Sequence, residues 1–526
     1  MKPLPTPSVT ASTATPSSSP AWLATLQTRL TPTRVPERAT DGRVYAILAL
    51  VSVTLAALTL LYPSTPTYDP WAWIVWGREI IHFDLVTTDG PSWKPLTVMF
   101  TTLFAPFGSI APDLWLVVGR AGAFMSVILS FRLAWRLAGG SIPARAIAGV
   151  IAAMALFISS SFVRNMTLGN SEGLLVAFTL WGIERHLDGK YRQAFLLGFL
   201  AALLRPEIWP FLGLYGLWLL LIDRHNRRTV VLVVVCGVLI PVLWLLPEYW
   251  GSGNFWRAAD RAQRPSPNSP AFADFPFWQV IKNTWPLMLT PVKAAAAFAL
   301  VVAAWNWFRT RRDLAVITVF TLAALWICEI ALMTQAGFSG NPRYIILGTT
   351  LIAVIGGVGF GRAVDIASGV VKRVGGRNGN VLALATGVAA CVVLLAATYH
   401  WAGPRFRSFG KLDTALRYQA QLRIDLEKAL DKVGGGRYFA QCGAMATGTY
   451  QVPMVAWYVD RHTKDVGLNP GEHGSVVASR STGAAPWAPA GDLFPWGYTK
   501  LIEQRTTHLY STCPAKPGSE AAQAAG

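Results

Sequence analysis

Residues 44–62 read VYAILALVSVTLAALTLLY, an apolar run without a single charged side chain. A helix rises about 1.5 Å per residue, so this run is long enough to cross a hydrocarbon core of ~30 Å. Similar runs recur to about position 400, and only 14% of the 526 residues are charged, against about 25% in soluble proteins. The sequence therefore predicts an all-α polytopic membrane protein.

Eleven runs have this character, although the fifth and sixth are short and are separated only by Arg205-Pro206-Glu207. We therefore expect about 11 transmembrane helices, which together form a membrane domain over residues 44–400. Their approximate limits are 44–62, 112–133, 145–163, 171–187, 191–204, 207–222, 229–247, 286–308, 313–335, 343–361 and 380–400.

Lys and Arg residues collect in alternate connections between these runs, and such residues favour the cytoplasmic side. Arg29, Arg34, Arg38 and Arg43 precede the first run, which places the N-terminus inside. The segment 1–43 begins with a tract rich in Pro, Ser, Thr and Ala, so we expect it to be disordered and cytoplasmic. The first span then acts as an uncleaved signal anchor. An odd number of spans predicts a multi-pass plasma-membrane protein with an extracytoplasmic C-terminus.

The formal net charge of +18 raises the alternative of nucleic-acid binding. Most Lys and Arg residues of the membrane part lie in short clusters between apolar runs, which is the arrangement that orients a membrane protein. A nucleic-acid site needs a contiguous basic face with aromatic or groove-reading side chains. The charge pattern therefore argues against this class of function.

Two outer connections, 63–111 and 248–285, are long under this topology. The first contains stretches rich in Trp and Phe that suit the membrane interface. The second is rich in Pro, Trp and Arg, which is typical of a flexible lid.

The tail, 401–526, differs in composition from the membrane part. A helical pattern over 412–433 ends at three glycines, and the strand-like pieces RYFAQC and VPMVAWYV follow. These features predict a small extracytoplasmic α/β domain. Cys442 and Cys513 are the two cysteines of this tail, and an oxidising exterior permits a disulfide between them.

Asp69 follows the first span in the sequence TYDPWAWIVWGREI. An ionisable residue at a membrane face is costly to place there, which makes it a candidate for function. Pro70 restricts its backbone, and three nearby tryptophans suit the interface. The structural alternative is that Asp69 caps a helix that begins at Pro70. The two roles are compatible, because a capping carboxylate is also fixed in place.

Further ionisable residues flank apolar runs on the same side of the membrane, namely Lys94, Glu172, Arg205, Glu207 and Arg343. Arg343 precedes a span, where helix amides favour anions. The structural alternatives are a local ion pair between Arg205 and Glu207 and stabilisation of a helix N-terminus by Glu172. Three cations and several carboxylates are therefore expected at one bilayer level.

Such a set suits transfer of a sugar from a polyprenyl phosphate, whose reactive carbon lies near the headgroups. One carboxylate takes a proton from the acceptor hydroxyl, and cations stabilise the departing phosphate. Because phosphate leaves without a general acid, one base is enough, unlike the two-carboxylate glycosidase arrangement. Asp69 as base and Arg205, Arg343 or Lys94 as phosphate ligands meet this need.

Three short motifs, Tyr68-Asp69-Pro70-Trp71, Arg205-Pro206-Glu207 and Asn341-Pro342-Arg343-Tyr344, together with the topology, resemble integral-membrane glycosyltransferases of the GT-C fold. The likeness is greatest to the branch of protein mannosyltransferases and aminoarabinose transferases, as represented in actinobacterial cell envelopes. It covers roughly residues 44–400.

The resemblance implies an inverting hexosyl or pentosyl transfer on the outer face. The donor is a polyprenyl-phosphate sugar, and the acceptor is an envelope glycan, lipid or protein. It assigns the base to Asp69 and substrate binding to residues that include Tyr344. Many relatives carry a second acid beside the first, where this chain has Pro70, so the helper carboxylate is left among Glu79, Glu172 and Glu207. No tight ligand spacing supports a metal site; a divalent metal is left open, and no cofactor is assigned.

Two other classes of function compete with the enzyme. A transporter or lipid-carrier flippase commonly shows repeated halves and ionisable groups near the midplane, whereas here these groups gather at one face and no internal repeat is evident. A non-catalytic envelope scaffold would use the tail to recruit partners and would not need Asp69 or Arg343. The enzyme is therefore the favoured reading.

Overall fold

The computed structural model describes residues 40–374 and 378–525. The expectation of disorder for the segment 1–43 therefore falls, up to position 39, outside the described residues. The described chain is mainly helical, with a small sheet near its C-terminus.

The helices of the membrane part carry almost all of the apolar sequence. Their bounds are α1 Gly42–Leu58, α2 Tyr68–Ile81, α3 Pro95–Phe104, α4 Ala111–Ala138, α5 Ile142–Phe157, α6 Ser160–Thr167, α7 Glu172–Leu187, α8 Tyr191–Ala202, α9 Trp209–Asp223, α10 Arg227–Ser252, α11 Arg257–Ala262, α12 Pro276–Thr284, α13 Thr290–Thr310, α14 Leu314–Gln335, α15 Ile346–Val374 and α16 Gly379–Lys432. Four of these helices, α2, α3, α11 and α12, are short and lie in the two long connections.

Each of the eleven predicted spans coincides with one of these helices or, for 145–163, with α5 and α6. By length and composition, seven helices of the described residues can cross a membrane, and the α5–α6 pair, which is bent by 63°, raises the number to eight. Three further predicted spans correspond to α7, α8 and α9, which have 16, 12 and 15 residues. The polytopic helical fold is confirmed, and the exact number of crossings stays a prediction.

Helix α15 lies at the centre of the bundle and packs closely through glycine. Its sequence from position 356 reads GGVGFG. A Cβ atom at Gly357 would lie 2.2 Å from the carbonyl oxygen of Ala148 on α5, and one at Gly359 would lie 2.0 Å from that of Ala295 on α13. Small residues of this kind let membrane helices approach to backbone contact. The glycines therefore set the distance between α15 and its two neighbours.

Gly357→Ala is expected to destabilise the protein by about 1–3 kcal/mol, because the added methyl group forces α15 away from α5. The matched control is Gly369→Ala on the same helix, where a Cβ meets nothing within 4 Å. Thermal unfolding of the purified variants in one detergent measures the difference. Equal melting temperatures for the two variants would contradict this account of the packing.

The C-terminal domain contains a mixed sheet that packs on the end of α16. The elements are α17 Gly436–Ala440, β1 Ala444–Thr447, α18 Val452–Tyr458, β2 Val466–Gly467, β3 Gly474–Arg480, β4 Trp487–Ala488, β5 Thr499–Glu503, β6 Thr507–Ser511 and α19 Glu520–Ala525. The strand order is β2-β1-β3-β6-β5, with β4 paired to β3; β1 is parallel to β2 and β3, and the other pairs are antiparallel. The predicted small α/β domain is confirmed.

Two local predictions for this domain are wrong. RYFAQC lies in and just after α17, and VPMVAWYV forms α18. Helix α18 begins at Val452, and Pro453 occupies one of its first two positions, where proline favours helix initiation. All five residues from Val452 to Ala456 are buried, so the sequence shows no alternation of apolar and polar residues with the helical period. The helix predicted over 412–433 does end before the glycines, but α16 also continues upstream through position 401 into the last span.

The two long connections are well anchored. Trp71, Trp73 and Trp76 of α2 are buried in the protein core, so they do not lie in the interface belt that the sequence suggested. In the connection expected to be a lid, Arg257 is buried and donates two hydrogen bonds of 2.8 Å to Glu248. That pair ties the start of the connection to the end of α10.

Candidate functional site

Six charged side chains meet at the end of the bundle that carries α2 and α3. We call them the ionic cluster: Asp69, Lys94, Glu172, Arg205, Glu207 and Arg343. All were singled out from the sequence, and the structure brings all six together although they come from five separate parts of the chain. Three carboxylates face three cations, so the cluster is formally neutral.

Proline fixes the backbone at each of the three cations. Lys94 and Arg205 directly precede Pro95 and Pro206, and both have extended backbone, the conformation that a following proline favours. Arg343 follows Pro342 in a short 3-10 helix, Pro342–Ile345, whose first amide is capped by the Asn341 side chain. Each cation therefore lies at the start of a helical segment.

Asp69 pairs with Arg343 across the bundle. Its Oδ2 atom accepts a hydrogen bond of 2.5 Å from Arg343 Nη2, while Arg343 Nη1 donates to Asn170 Oδ1 at 3.0 Å. Helix α2 begins at Tyr68 with Thr67 as its N-cap, so Asp69 lies inside the first turn, and the capping alternative is wrong. The Asp69 side chain is 15% exposed, which leaves it reachable from solvent.

Arg205 occupies the centre of a second, more buried group. Its Nη1 donates to Glu172 at 3.2 Å and its Nη2 to Glu207 at 3.0 Å. The guanidinium also lies 3.9 Å from the centroid of the Tyr344 ring. The ion pair between Arg205 and Glu207 that the sequence offered as the structural alternative is therefore present. Arg343 Nε lies 3.8 Å from Glu172, which joins this group to Asp69.

Lys94 is the third cation of the cluster and is buried. Its Nζ donates to Ser171 Oγ at 2.9 Å and lies 5.1 Å from the centroid of the Trp73 ring. Burial lowers the pKa of Lys94 to about 8, although the neighbouring Glu172 acts in the opposite direction. The ammonium is thus mostly charged at neutral pH and makes this single hydrogen bond among the described residues.

The electrostatics of Asp69 favour its ionised form. Burial alone would raise the pKa of this carboxyl, but Arg343, Lys94 and Arg261 outweigh burial and lower the pKa below its usual value. Its second oxygen, Oδ1, accepts no hydrogen bond from any residue in the described ranges. An ionised carboxylate with one free oxygen is suited to accept a proton.

Arg261 is a cation whose charge reaches the site and which the sequence analysis did not single out. It lies on α11, is exposed, and donates through Nε to Gly90 O at 3.2 Å and through Nη1 to Arg264 O at 2.9 Å. Its charge acts on both Asp69 and Tyr68. The only sequence signal was its place in a Trp- and Arg-rich connection, because its distance from Asp69 depends on how α10 and α11 fold back.

Other candidates lie elsewhere. Glu79 is at the far end of α2 and pairs with His462 of the C-terminal domain, so it is not beside Asp69. Cys442 and Cys513 are joined by a disulfide. With His473 they form the one group of three Cys, His, Asp or Glu residues in the described chain whose ligand atoms, one per residue, all lie within 4.8 Å of one another, and the disulfide engages both sulfurs. In the ionic cluster, Arg205 contacts both Glu172 and Glu207, and Arg343 contacts both Asp69 and Glu172, so a guanidinium lies between the carboxylates of each pair.

A small, partly open apolar cavity of about 40 Å³ lies next to the Pro342–Ile345 segment. It is bounded by the bend between α5 and α6, by the start of α13 and by α15. Arg405 of α16 is the one charged residue of its lining. The cavity therefore has an apolar wall and one cation. Its lining includes Ile346, which is two residues along the chain from Tyr344.

No family model matches this chain, and no curated protein matches it in sequence. Among solved structures, ArnT from Cupriavidus metallidurans in the apo state aligns with a TM-score of 0.53 and 13% identity over 90% of this chain and 99% of ArnT. This chain has the ArnT fold. ArnT bound to undecaprenyl phosphate gives a TM-score of 0.52 and 11% identity over the same shares of the two chains.

An oligosaccharyltransferase from Archaeoglobus fulgidus, in complex with Zn and sulfate, aligns with a TM-score of 0.45 and 12% identity over 80% of this chain and 61% of its own length. The expected GT-C architecture, with its small appended domain, is confirmed by the ArnT alignments, which extend over nearly all of both chains. At identities of 11% and 13%, the likeness to ArnT establishes the fold alone.

Proposed function

We propose that this protein is a membrane glycosyltransferase that moves a sugar from a polyprenyl-phosphate donor to an envelope acceptor. The observation that carries the proposal is the ionised Asp69 held by Arg343 next to Lys94. The fold supports it, because the similar ArnT structure contains undecaprenyl phosphate. The donor class agrees with the branch of protein mannosyltransferases and aminoarabinose transferases.

In the proposed reaction, Asp69 accepts the proton of the acceptor hydroxyl while that oxygen attacks the anomeric carbon. The bond from this carbon to the phosphate oxygen breaks, and the electron pair leaves with the polyprenyl phosphate. Attack from the face opposite the phosphate inverts the anomeric configuration. The free Oδ1 of Asp69 takes the proton, because Oδ2 is engaged by Arg343.

We propose a different distribution of the phosphate-binding roles from the one that the sequence suggested. Lys94 and Arg261 each keep unused donors, so we assign the departing phosphate to them. Both terminal nitrogens of Arg205 are engaged by carboxylates, and we assign it a supporting role together with Glu172, Glu207 and Tyr344.

The test is an assay with the purified protein in lipid and a panel of polyprenyl-phosphate sugars. We expect release of free polyprenyl phosphate together with a glycosylated acceptor. Intact donor that merely changes leaflet would instead show a flippase and overturn the proposal. The accumulated lipid-linked sugar in cells that lack the protein would name the donor for the panel.

The topology of the proposal follows the charge bias of the sequence. We propose that the end carrying the ionic cluster and the C-terminal domain face the exterior and that the N-terminus is cytoplasmic. The membrane domain, 44–400, then holds the reaction, and the tail, 401–526, lies over it.

Arg343→Gln is expected to shift the acid limb of the pH–activity profile to higher pH. Arg343 is the strongest of the charges that lower the pKa of Asp69. Without it, burial raises that pKa, so the base loses its charge at a higher pH. The expected shift is roughly one to three pH units, the range by which an adjacent arginine lowers an aspartate pKa.

The profile of kcat/KM against pH measures this shift. Arg407→Gln, an exposed position on α16, serves as the control and should leave the acid limb in place. An acid limb that does not move in Arg343→Gln would show that Arg343 does not set the charge of Asp69.

A further inference from the structure

One turn of the C-terminal domain, residues 457–462 at the end of α18, binds the end of α2. The first turn of α2 carries Asp69. Arg78 of α2 forms an ion pair of 2.9 Å with Asp460 and donates to the carbonyl oxygens of Trp457 and Arg461 at 3.1 and 2.7 Å. Its guanidinium also lies 5.3 Å from the centroid of the Trp457 ring. The turn therefore holds α2 through several contacts at once.

His462, at the end of this turn, lies between two carboxylates. Its Nδ1 is 2.8 Å from Glu79 Oε1, and its Nε2 is 3.3 Å from Asp84 Oδ2. A neutral imidazole carries one N–H, whereas the imidazolium carries two. With both carboxylates ionised, only the protonated ring donates to both of them, so this arrangement of three side chains contains an extra proton.

The charges around the ring come from both sides of the contact. Arg78, Glu79 and Asp84 belong to α2 and the segment that follows it, and Asp460, Arg461, Lys464 and Asp465 belong to the C-terminal domain. Glu79 is only 3% exposed. Burial raises the pKa of Glu79, and hydrogen bonds from the Val86 amide and His462 offset only part of that rise.

The sign of the pH effect is the same for both groups. A buried acid with a raised pKa stabilises the docked state while it is protonated, and this stabilisation is lost as pH rises through that pKa. An imidazolium that pairs with two carboxylates likewise loses one of its hydrogen bonds when it gives up a proton. The extra proton is shared between Glu79 and His462, so its release from this pair weakens the contact.

We propose that His462 is a positioning residue that latches the C-terminal domain to α2 while it carries both ring protons. The latch holds α2, and with it Asp69, in acid and loosens when the ring gives up one of these protons as pH rises. Two further contacts, Arg423 with Asp113 at 2.7 Å and Trp71 with Tyr458 at 5.8 Å between ring centroids, keep the domain attached when the latch opens.

Hydrogen exchange of the α2 amides tests the latch without an activity assay. It is measured on the full-length protein in lipid discs. Exchange rates between pH 5.5 and 8, corrected for the intrinsic effect of pH, should rise by up to about tenfold per pH unit, the limit for release of one proton on opening. In His462→Gln and in Glu79→Gln this slope should fall, because each variant removes one titrating group.

His82→Gln is the matched control, since His82 is an exposed histidine at the end of the same helix whose ring faces the Arg78 carbonyl oxygen. It should keep the wild-type slope. Corrected exchange that is independent of pH in the wild type, or an unchanged slope in His462→Gln, would overturn the proposal. The wild-type measurement decides the matter if the variant fails to fold.

The consequence for activity rests on the proposed function. Wild-type kcat should exceed that of His462→Gln severalfold at the acid end of the range from pH 5.5 to 8, and the ratio should fall toward one as pH rises and the wild-type latch opens. A constant ratio would indicate a merely structural role. Absence of transfer in every protein would count against the glycosyltransferase and would leave the exchange result standing.

Discussion

Asp69→Asn is expected to reduce glycosyl transfer by about 10² to 10⁴-fold, the usual contribution of a general base. Asparagine keeps an oxygen that accepts the hydrogen bond from Arg343, so the fold and the pairing geometry persist. It cannot take up the proton of the acceptor hydroxyl. Turnover of a polyprenyl-phosphate sugar by the purified variant, with its melting temperature recorded alongside, measures the effect.

Two companion variants make this result specific. Asp274→Asn removes an exposed carboxylate from the connection 248–285 and should leave transfer unchanged. Asp69→Glu keeps the base but lengthens it by a methylene, and should retain more activity than Asp69→Asn. Full turnover in Asp69→Asn, with the protein folded, would remove Asp69 from the mechanism.

The helices were predictable because apolarity over some 20 residues is a property of each run on its own. All eleven predicted runs coincide with helices, including the short pair on either side of Arg205. The local structure of the C-terminal domain was harder to predict. In VPMVAWYV, tertiary burial covers every side of a short helix, and a continuous apolar run then does not distinguish a helix from a buried strand.

The sequence predicted which charged residues belong to the site but not which of them pair with one another. Charged residues next to prolines at the ends of apolar runs pointed to Lys94, Arg205 and Arg343. Which carboxylate each cation meets depends on the closeness of the helices, which glycines such as Gly357 determine. The position of Arg261 and the pairing of Glu79 with His462 depend on how distant segments fold back, and no local pattern encodes that.

The pairing of Arg205 with two buried carboxylates leads to the second prediction of a large effect, which concerns stability. Arg205→Met should destabilise the protein by about 3 to 5 kcal/mol, because it leaves the buried carboxylates of Glu172 and Glu207 without their partner. Arg417→Met, in a pair with Asp413 that is about half exposed, should change stability by less than about 1 kcal/mol. Thermal unfolding in a single detergent compares the two variants.

A double variant separates support of the fold from phosphate binding. In Arg205→Met with Glu207→Gln, one of the two stranded charges is removed, and Glu172 keeps Lys94 and Arg343 as neighbours. Much of the lost stability should therefore return. If Arg205 only holds the carboxylates in place, transfer should return with it and the KM for the donor should stay close to the wild-type value. A stable double variant with a strongly raised KM would show instead that Arg205 binds the phosphate, and the roles assigned to Lys94 and Arg261 would then have to be shared with it.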